Sequence, residues 1–434
     1  MSSILTNNGA MVALQTLKSI NNDLSKTQSI ISTGKSVGSA KDNAAIWAIS
    51  KVMESDVQGF KAISSSLSLG ESTVAVARQG SETVTDLLTQ MKDKIVASQE
   101  SNVDRDKIQQ DIGALRDQIT SVVGAAQFNG LNLLSNTDTE AGSGTVSILS
   151  SLDRSGTGVA ASNIDVGKND LGTGAAEIAA GSTAIVTADN NITGDGDAAA
   201  FALAAAGTAP DADLVFGGGA TETVEAGTGF NLEISGSGAD LTTGFDTSAL
   251  DDIAYVARDG DTYADVAAGL ASAFNSWAAT NVPEGVGETI TASSSGNNLT
   301  IVGGTTTTTE NFSVQANSFG ADDTTIGGGL ADLSDIDVTT DEGANAALAS
   351  IEGLISKAID SAASFGSAQG RIETQSEFVG KISDALKSGI GSLVDADMEE
   401  ASARLQALQV QQQLGVQSLS IANQAPQSIL SLFR

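Results

Sequence analysis

Catalysis needs groups that move protons, hold metals or attack as nucleophiles, and this chain of 434 residues contains neither cysteine nor histidine. That excludes the commonest general base, thiolate nucleophiles and every Cys- or His-ligated zinc, haem or iron–sulfur site. Carboxylate-only chemistry such as glycoside hydrolysis stays open, but among 53 acidic residues an arbitrary pair is uninformative. Asp189-Asn-Asn191-Ile-Thr193-Gly194 begins like a calcium loop, with alternating oxygen donors and a glycine for the sharp turn. Its twelfth position is Ala200 where a bidentate Glu is needed, which favours a polar surface turn. Asn191-Ile-Thr193 and Asn298-Leu-Thr300 fit the glycosylation triplet, a pattern short enough to arise by chance. The glycine tracts 217–219, 303–304 and 327–329 lack a following Lys-Ser/Thr and lie in acidic surroundings, so they read as turns and not as phosphate cradles. The expectation is a protein that is not an enzyme, with no catalytic residue, cofactor or metal.

Net charge of −32 and a pI near 4.1 argue against nucleic acid or an anionic membrane as partner, because both need clustered Lys and Arg. The start, Met1-Ser-Ser-Ile-Leu-Thr-Asn-Asn-Gly9, has no basic segment followed by an apolar run, so any export is expected to use a route other than a Sec-type signal peptide. The longest apolar run, Ala198 to Ala206, is far short of the ~20 residues that span a bilayer.

Charge divides the chain into three regions. Between Asp138 and Asp341 the only basic residues are Arg154, Lys168 and Arg258; all others lie in the two ends. Near the start, Leu14, Leu17, Leu24 and Ile31 recur at three-four spacing, with polar Asn21 and Gln28 completing the stripe. A second stripe runs through Ile46, Ile49, Met53, Phe60, Ile63, Leu67, Val74, Ala77, Val84, Leu88, Met91 and Ile95, interrupted by Asp56, Gly70 and Ser81. A stripe of that length predicts a helix of ~50 residues, or ~75 Å, held to a partner by supercoiling. Ser39-Ala-Lys-Asp42 has capping-box spacing and marks its expected start. A third segment, Ile108 to Ala126, ends before a turn at Asn129-Gly130.

The C-terminal end mirrors this. Leu348, Ile351, Ile355, Ala358, Ala362, Phe365, Ile372, Val379, Leu386, Ile390 and Leu393 predict a second long helix. Met398, Ala401, Leu405, Leu408, Leu419 and Ala422 predict a last, glutamine-rich helix that includes Gln412 and is expected to stop at Pro426. Neither end can bury its stripe alone, so the two ends should pack on each other as an antiparallel helical bundle or coiled coil. The middle carries strand-like runs at Phe230–Ile234, Leu299–Val302 and Phe312–Val314, and a small helix is expected over Ser272 to Ala279. Residues 167–220 show no clear periodicity and read partly as loose loops. The fold class expected is therefore α plus α+β, two helical ends around a β-rich variable middle.

Three stretches resemble bacterial flagellins: Ser32-Thr-Gly34-Lys-Ser-Val-Gly-Ser39-Ala-Lys-Asp42-Asn43-Ala-Ala45, Gln127-Phe-Asn-Gly-Leu-Asn-Leu-Leu134, and the ending Ala422-Asn-Gln-Ala-Pro426-Gln-Ser-Ile-Leu-Ser-Leu-Phe-Arg434. Asn43, in place of a second acidic residue, and Ile46-Trp47, where a glycine is common, depart from the enterobacterial pattern. The resemblance implies a secreted filament subunit of the bacterial flagellum. It implies an inner terminal region at 1–39 and 396–434, a helical bundle at 40–137 and 342–395, and a solvent-facing middle at 138–341. Partners implied are the chain itself, the flagellar cap and hook-filament junction proteins, an export chaperone and the flagellar type III apparatus. Leu14, Leu17, Asn21, Leu24, Gln28, Ile31, Leu405, Leu408, Gln412, Leu419 and Arg434 become the expected filament interface. A patch that in many flagellins contacts a vertebrate innate immune receptor carries Gln90, Lys94 and Asp111 at the matching positions, where Arg, Leu and Glu are usual. Alternative readings are a hook-filament junction protein of the same superfamily and an acidic surface adhesin.

Overall fold

The structure is a computed structural model that describes residues 7–100, 102–155, 158–179, 191–192, 198–204, 211–237, 252–281, 291–302 and 311–432. Helices occupy both ends: α1 (Asn8–Thr33), α2 (Ala44–Ser98) and α3 (Arg105–Ala125), then α5 (Asp341–Val394) and α6 (Met398–Leu432). The middle holds α4 (Tyr263–Asn281) and short strands. Contacts divide the chain into two compact units, one of Met1–Ser65, Ser151–Ala160 and Ser376–Arg434, the other of Ser66–Ser150 and Ala161–Gln375.

In the first unit α1 lies antiparallel on α6. Each helix is capped by a side chain: Asn7 Oδ1 accepts from Ala10 N at 3.0 Å, and Asp397 Oδ1 accepts from Glu399 N at 2.9 Å and Glu400 N at 3.1 Å. The α2 start differs from the sequence expectation. Asp42 accepts from the Ser39 N–H and hydroxyl inside the connector, whereas the N-cap is Asn43, four residues after Ser39, with its Oδ1 receiving Ala45 N and Ile46 N and the helix beginning at Ala44. Asn43 supplies an acceptor nearer the first free N–H groups, so the departure from the enterobacterial pattern is itself the cap.

Pro426 does not stop α6, which continues to Leu432. A proline in a helix deprives one carbonyl, four residues back, of its donor. That carbonyl belongs to Ala422, and Asn7 Nδ2 donates to it at 2.9 Å.

In the second unit α2 and α5 run antiparallel. Ile63, although it falls in the first unit, begins a buried series that continues through Leu67, Val74, Ala77, Val84, Leu88, Met91 and Ile95, as the stripe predicts. On α5 the expected Ile351, Ala358, Phe365, Ile372 and Val379 are buried, while the alternate positions shift by one residue: Ala347, Leu354 and Ser361 are buried where Leu348, Ile355 and Ala362 were expected and are only partly covered, and Leu393 is exposed. The seam alternates small and large residues, with Ala347, Ala358 and Ser361 beside Ile351, Leu354 and Phe365, which lets the two helices interdigitate. Gly70 and Gly80, on α2, are contact points: a Cβ at Gly70 would come within 2.6 Å of Ile148, and one at Gly80 within 2.7 Å of Leu134.

Strands β1 (Gln127–Phe128) and β2 (Leu131–Asn132) form a hairpin whose turn places Asn129 and Gly130 at positive φ, as their residue types predict. Strands β3 (Thr145–Ser155) and β4 (Gly158–Gly167) pair with each other. β5 (Glu177–Ile178) pairs β14 (Thr324–Thr325). One four-stranded sheet has the order β10 (Ala254–Val256), β9 (Gly229–Ser237), β13 (Asn311–Phe319), β7 (Ala198–Ala204). The other runs β11 (Thr291–Ser295), β12 (Asn298–Val302), β8 (Asp211–Phe216), β6 (Asn191–Ile192). The strand-like runs of the sequence become β9, β12 and β13, and the expected short helix is the longer α4. Its buried face, Val266, Leu270, Phe274 and Trp277, joins Phe216, Phe230 and Ile301 in one core.

Within 167–220 the described residues include β5 to β8, while residues 168–176 belong to no strand or helix. The seven-residue β7 is specified by its pairing with β13, a contact more than a hundred residues away along the chain, so no local period announces it. Of the calcium-loop candidate, Asn191 and Ile192 form β6 and the rest lies outside the described residues. Asn298-Leu-Thr300 lies in β12, paired on both sides.

One polar cluster fixes the loops of this unit. The buried Asp170 carboxylate accepts from Asn136 N at 2.9 Å, Gly172 N at 2.7 Å and Gly329 N at 3.3 Å, with Arg258 Nε at 3.7 Å. Arg258 also donates to the Gly327 carbonyl at 2.7 Å and to the Tyr255 hydroxyl at 3.2 Å.

Candidate assembly surface

The seam between α1 and α6 is built from both helices at three-four spacing. On α6 the covered positions are Ala401, Leu405, Leu408, Gln412, Gly415, Leu419 and Ala422, the expected stripe with Gly415 added and without Met398, which is exposed. On α1 they are Ala10, Ala13, Leu17, Ile20, Leu24, Thr27 and Ile31. Leu17, Leu24 and Ile31 are thus used inside one chain, together with Ala13, Ile20 and Thr27, which the sequence reading passed over. Their heptad spacing was the available signal, obscured because Ala and Thr are weak hydrophobes beside Leu14. Thr27 is buried without loss because its hydroxyl donates to the Asp23 carbonyl at 2.9 Å.

Leu14, Asn21 and Gln28 flank the seam and are exposed. Asn21 still bridges the helices, accepting from Gln412 Nε2 at 2.7 Å. The outward face is apolar: Met11, Val12 and Leu14 on α1 are 61%, 64% and 58% exposed, and Val410, Leu414, Val416 and Ile421 project from α6. Arg434 lies outside the described residues.

The two connectors close the pair at its other end. Lys35 and Asp395 form a backbone bridge, Ala396 N donates to the Gly34 carbonyl at 3.0 Å, and Ser36 N donates to the Val394 carbonyl at 2.7 Å. Gly34 adopts φ 70°, a left-handed conformation that ends α1 and suits glycine. The Ser39 hydroxyl and N–H hold the exposed Asp42 carboxylate below its ordinary value.

In the second unit, Lys94 and Asp111 join α2 to α3 by an ion pair of 2.5 Å, and Gln90 stands exposed on the same helix as Lys94. Among the described residues no helix is long and apolar enough to cross a membrane, and no group of acidic side chains is gathered to hold a metal ion.

The sequence matches the bacterial flagellin N-terminal helical region over residues 4–139 and the bacterial flagellin C-terminal helical region over residues 348–433. It is 35% identical over 440 residues to Flagellin A of Rhizobium meliloti, covering the whole of both chains. The chain belongs to the bacterial flagellin family. Flagellin FljM of Caulobacter vibrioides is 28% identical over 437 residues, covering 100% of this chain and 99% of that one. Among solved structures, FlgL of Xanthomonas campestris aligns over 77% of this chain and 97% of its own, at 13% identity and a TM-score of 0.31. FliC of Burkholderia pseudomallei aligns over 70% and 99%, at 14% identity and a TM-score of 0.29. As a flagellin, the protein is a structural subunit of the flagellar filament, outside the cell, and is not an enzyme.

Proposed function

We propose that the α1·α6 pair is the polymerising element of this flagellin and that its outward apolar face meets neighbouring copies. The observation that carries this is the division of labour on α1: Leu17, Leu24 and Ile31 are covered within the chain, while Met11, Val12 and Leu14 face solvent. An exposed apolar strip on a helical pair marks a docking surface. Subunits related by rotation and rise make heterologous contacts that do not close, which gives an open helical polymer. In this reading residues 1–39 and 396–434 form the filament interior, 40–137 and 342–395 the bundle around it, and 138–341 the outer surface. Asn21 and Gln412 set register within the pair, and Leu14, Gln28 and the C-terminal Arg434 reach adjacent subunits.

Family membership supports the finer partners as well: a flagellar cap and junction proteins at the filament's ends, and a chaperone and the type III apparatus during export. The deciding experiment is electron microscopy after seeding with filament fragments. Leu14→Asn combined with Leu414→Asn should leave helix content unchanged and abolish elongation, as should deletion of 396–434. Normal filaments from the double variant would overturn the assignment of this face.

A further inference from the structure

A proline eight residues before the end of the chain should break or kink α6, yet the helix continues for six residues beyond it. The only intrahelical hydrogen bond that proline must delete is the one to the Ala422 carbonyl, and Asn7 Nδ2 occupies that acceptor at 2.9 Å. The same side chain uses its oxygen to cap α1, accepting from Ala10 N at 3.0 Å. Both halves of one amide are therefore engaged, each with a backbone group that a helix leaves unpaired.

We propose that Asn7 is a positioning residue for α6: its amide replaces the N–H that Pro426 lacks, and so locks the axial register of α1 against α6 at the carbonyl of Ala422. The specificity is geometric. In an α-helix each interior carbonyl is engaged by the N–H four residues on, so the proline turns the Ala422 carbonyl into the acceptor that a side-chain donor on α1 can claim. Sliding α1 by one heptad would preserve the apolar seam and lose this bond. The proline is thus a register mark, read by a residue more than four hundred positions earlier in the sequence.

The test separates the two uses of the amide. Asn7→Asp keeps an N-cap acceptor and removes the donor, and Asn7→Ser keeps the acceptor while drawing its one donor back to a hydroxyl on Cβ, one bond shorter than the amide nitrogen. Pro426→Ala returns the missing N–H. The full-length chain, grown from filament seeds, is compared by hydrogen exchange at Gln427–Leu432. Either Asn7 variant should lower protection there roughly tenfold, the scale of one buried hydrogen bond, and Pro426→Ala should restore it in the same chain. If an Asn7 variant no longer elongates, recovery of elongation by Pro426→Ala supports the lock. Effects of Asn7 that persist undiminished in the Pro426→Ala background, or Asn7→Ser exchanging as the parent does, would overturn it. Failure of the parent chain to elongate would instead count against the polymerising role itself.

Discussion

Ser81 of α2 and Ser361 of α5 meet at 3.1 Å in the buried seam of the two long helices, oxygen to oxygen. Ser81 also donates to the Ala77 carbonyl at 3.0 Å, so its lone pair receives the Ser361 hydroxyl. A polar contact in an apolar seam favours one alignment over its slipped alternatives, because a slip separates Ser361 from Ser81 while Ser81 keeps its bond to Ala77. We predict that Ser81→Ala or Ser361→Ala alone costs about 1–2 kcal/mol, and that the double variant costs less than the sum. Urea denaturation of the four proteins measures the coupling; strict additivity would remove the register role.

The glycines of the long helices should divide by what stands over them. Gly80→Ala drives a methyl into Leu134 and Ala126, and we predict a loss of about 1–3 kcal/mol despite the better helix former. Gly370→Ala, with nothing within 4 Å of the new methyl, should gain up to about 1 kcal/mol. Thermal unfolding of the two variants should move in opposite directions.

Arg258 ties three loops through Asp170, Gly327 and Tyr255. Arg258→Met should destabilise the second unit by about 3 kcal/mol, the scale of breaking a buried pair by removing one member. Limited proteolysis should then cut first around Gly327–Gly329, while α1 and α6 keep the parent's cleavage pattern.

Acid should act on the helix starts before the core of the middle. Asp104 is held below its ordinary value of 3.8, first by the Lys107 side chain and then by the Lys107 N–H. A depressed folded-state value contributes stability above the unfolded value that is lost as pH falls through the folded one. Asp261 is raised, chiefly by burial, so protonation on acidification favours its folded state. Protection of the first turn of α3 should fall below about pH 4. Asp104→Asn, which retains a cap acceptor without the charge, should flatten that dependence.

We propose that the Lys94–Asp111 pair stands at the positions where, by the resemblance, many flagellins present an apolar and an acidic contact to the innate immune receptor. We predict weak receptor activation, and recovery of roughly tenfold or more on Gln90→Arg with Lys94→Leu, in line with hot spots worth about 2 kcal/mol. A reporter-cell assay in which the parent equals an enterobacterial flagellin would contradict this.

The helical ends were legible because their pattern is local and long: α2 follows its stripe from Ile63 to Ile95 and α6 from Ala401 to Ala422, while Ile49 and Met398, at the outer ends of the two stripes, are exposed. Phase was harder. At the first turns of α1 and α5 the eye follows Leu14 and Leu348, while the seam uses Ala13 and Ala347, because a hydrophobicity pattern favours the larger of two adjacent apolar residues. Gly70 and Ser81 looked like interruptions and are contacts, since a periodicity reading scores hydrophobicity and not the neighbour that fills a gap. β7, written Ala-Ala-Ala-Phe-Ala-Leu-Ala, takes its identity from β13 and carried no local sign. The outward strip on α1 and α6 appears only once the covered half is known.

The bridge between Lys35 and Asp395 gives the two connectors a common anchorage. A filament that turns in a viscous fluid loads its subunits mechanically, and a tug on α1 arrives at the same backbone clasp as a tug on α6. The two strands then behave as springs side by side, each bearing part of the tension, so neither chain end must resist shear alone.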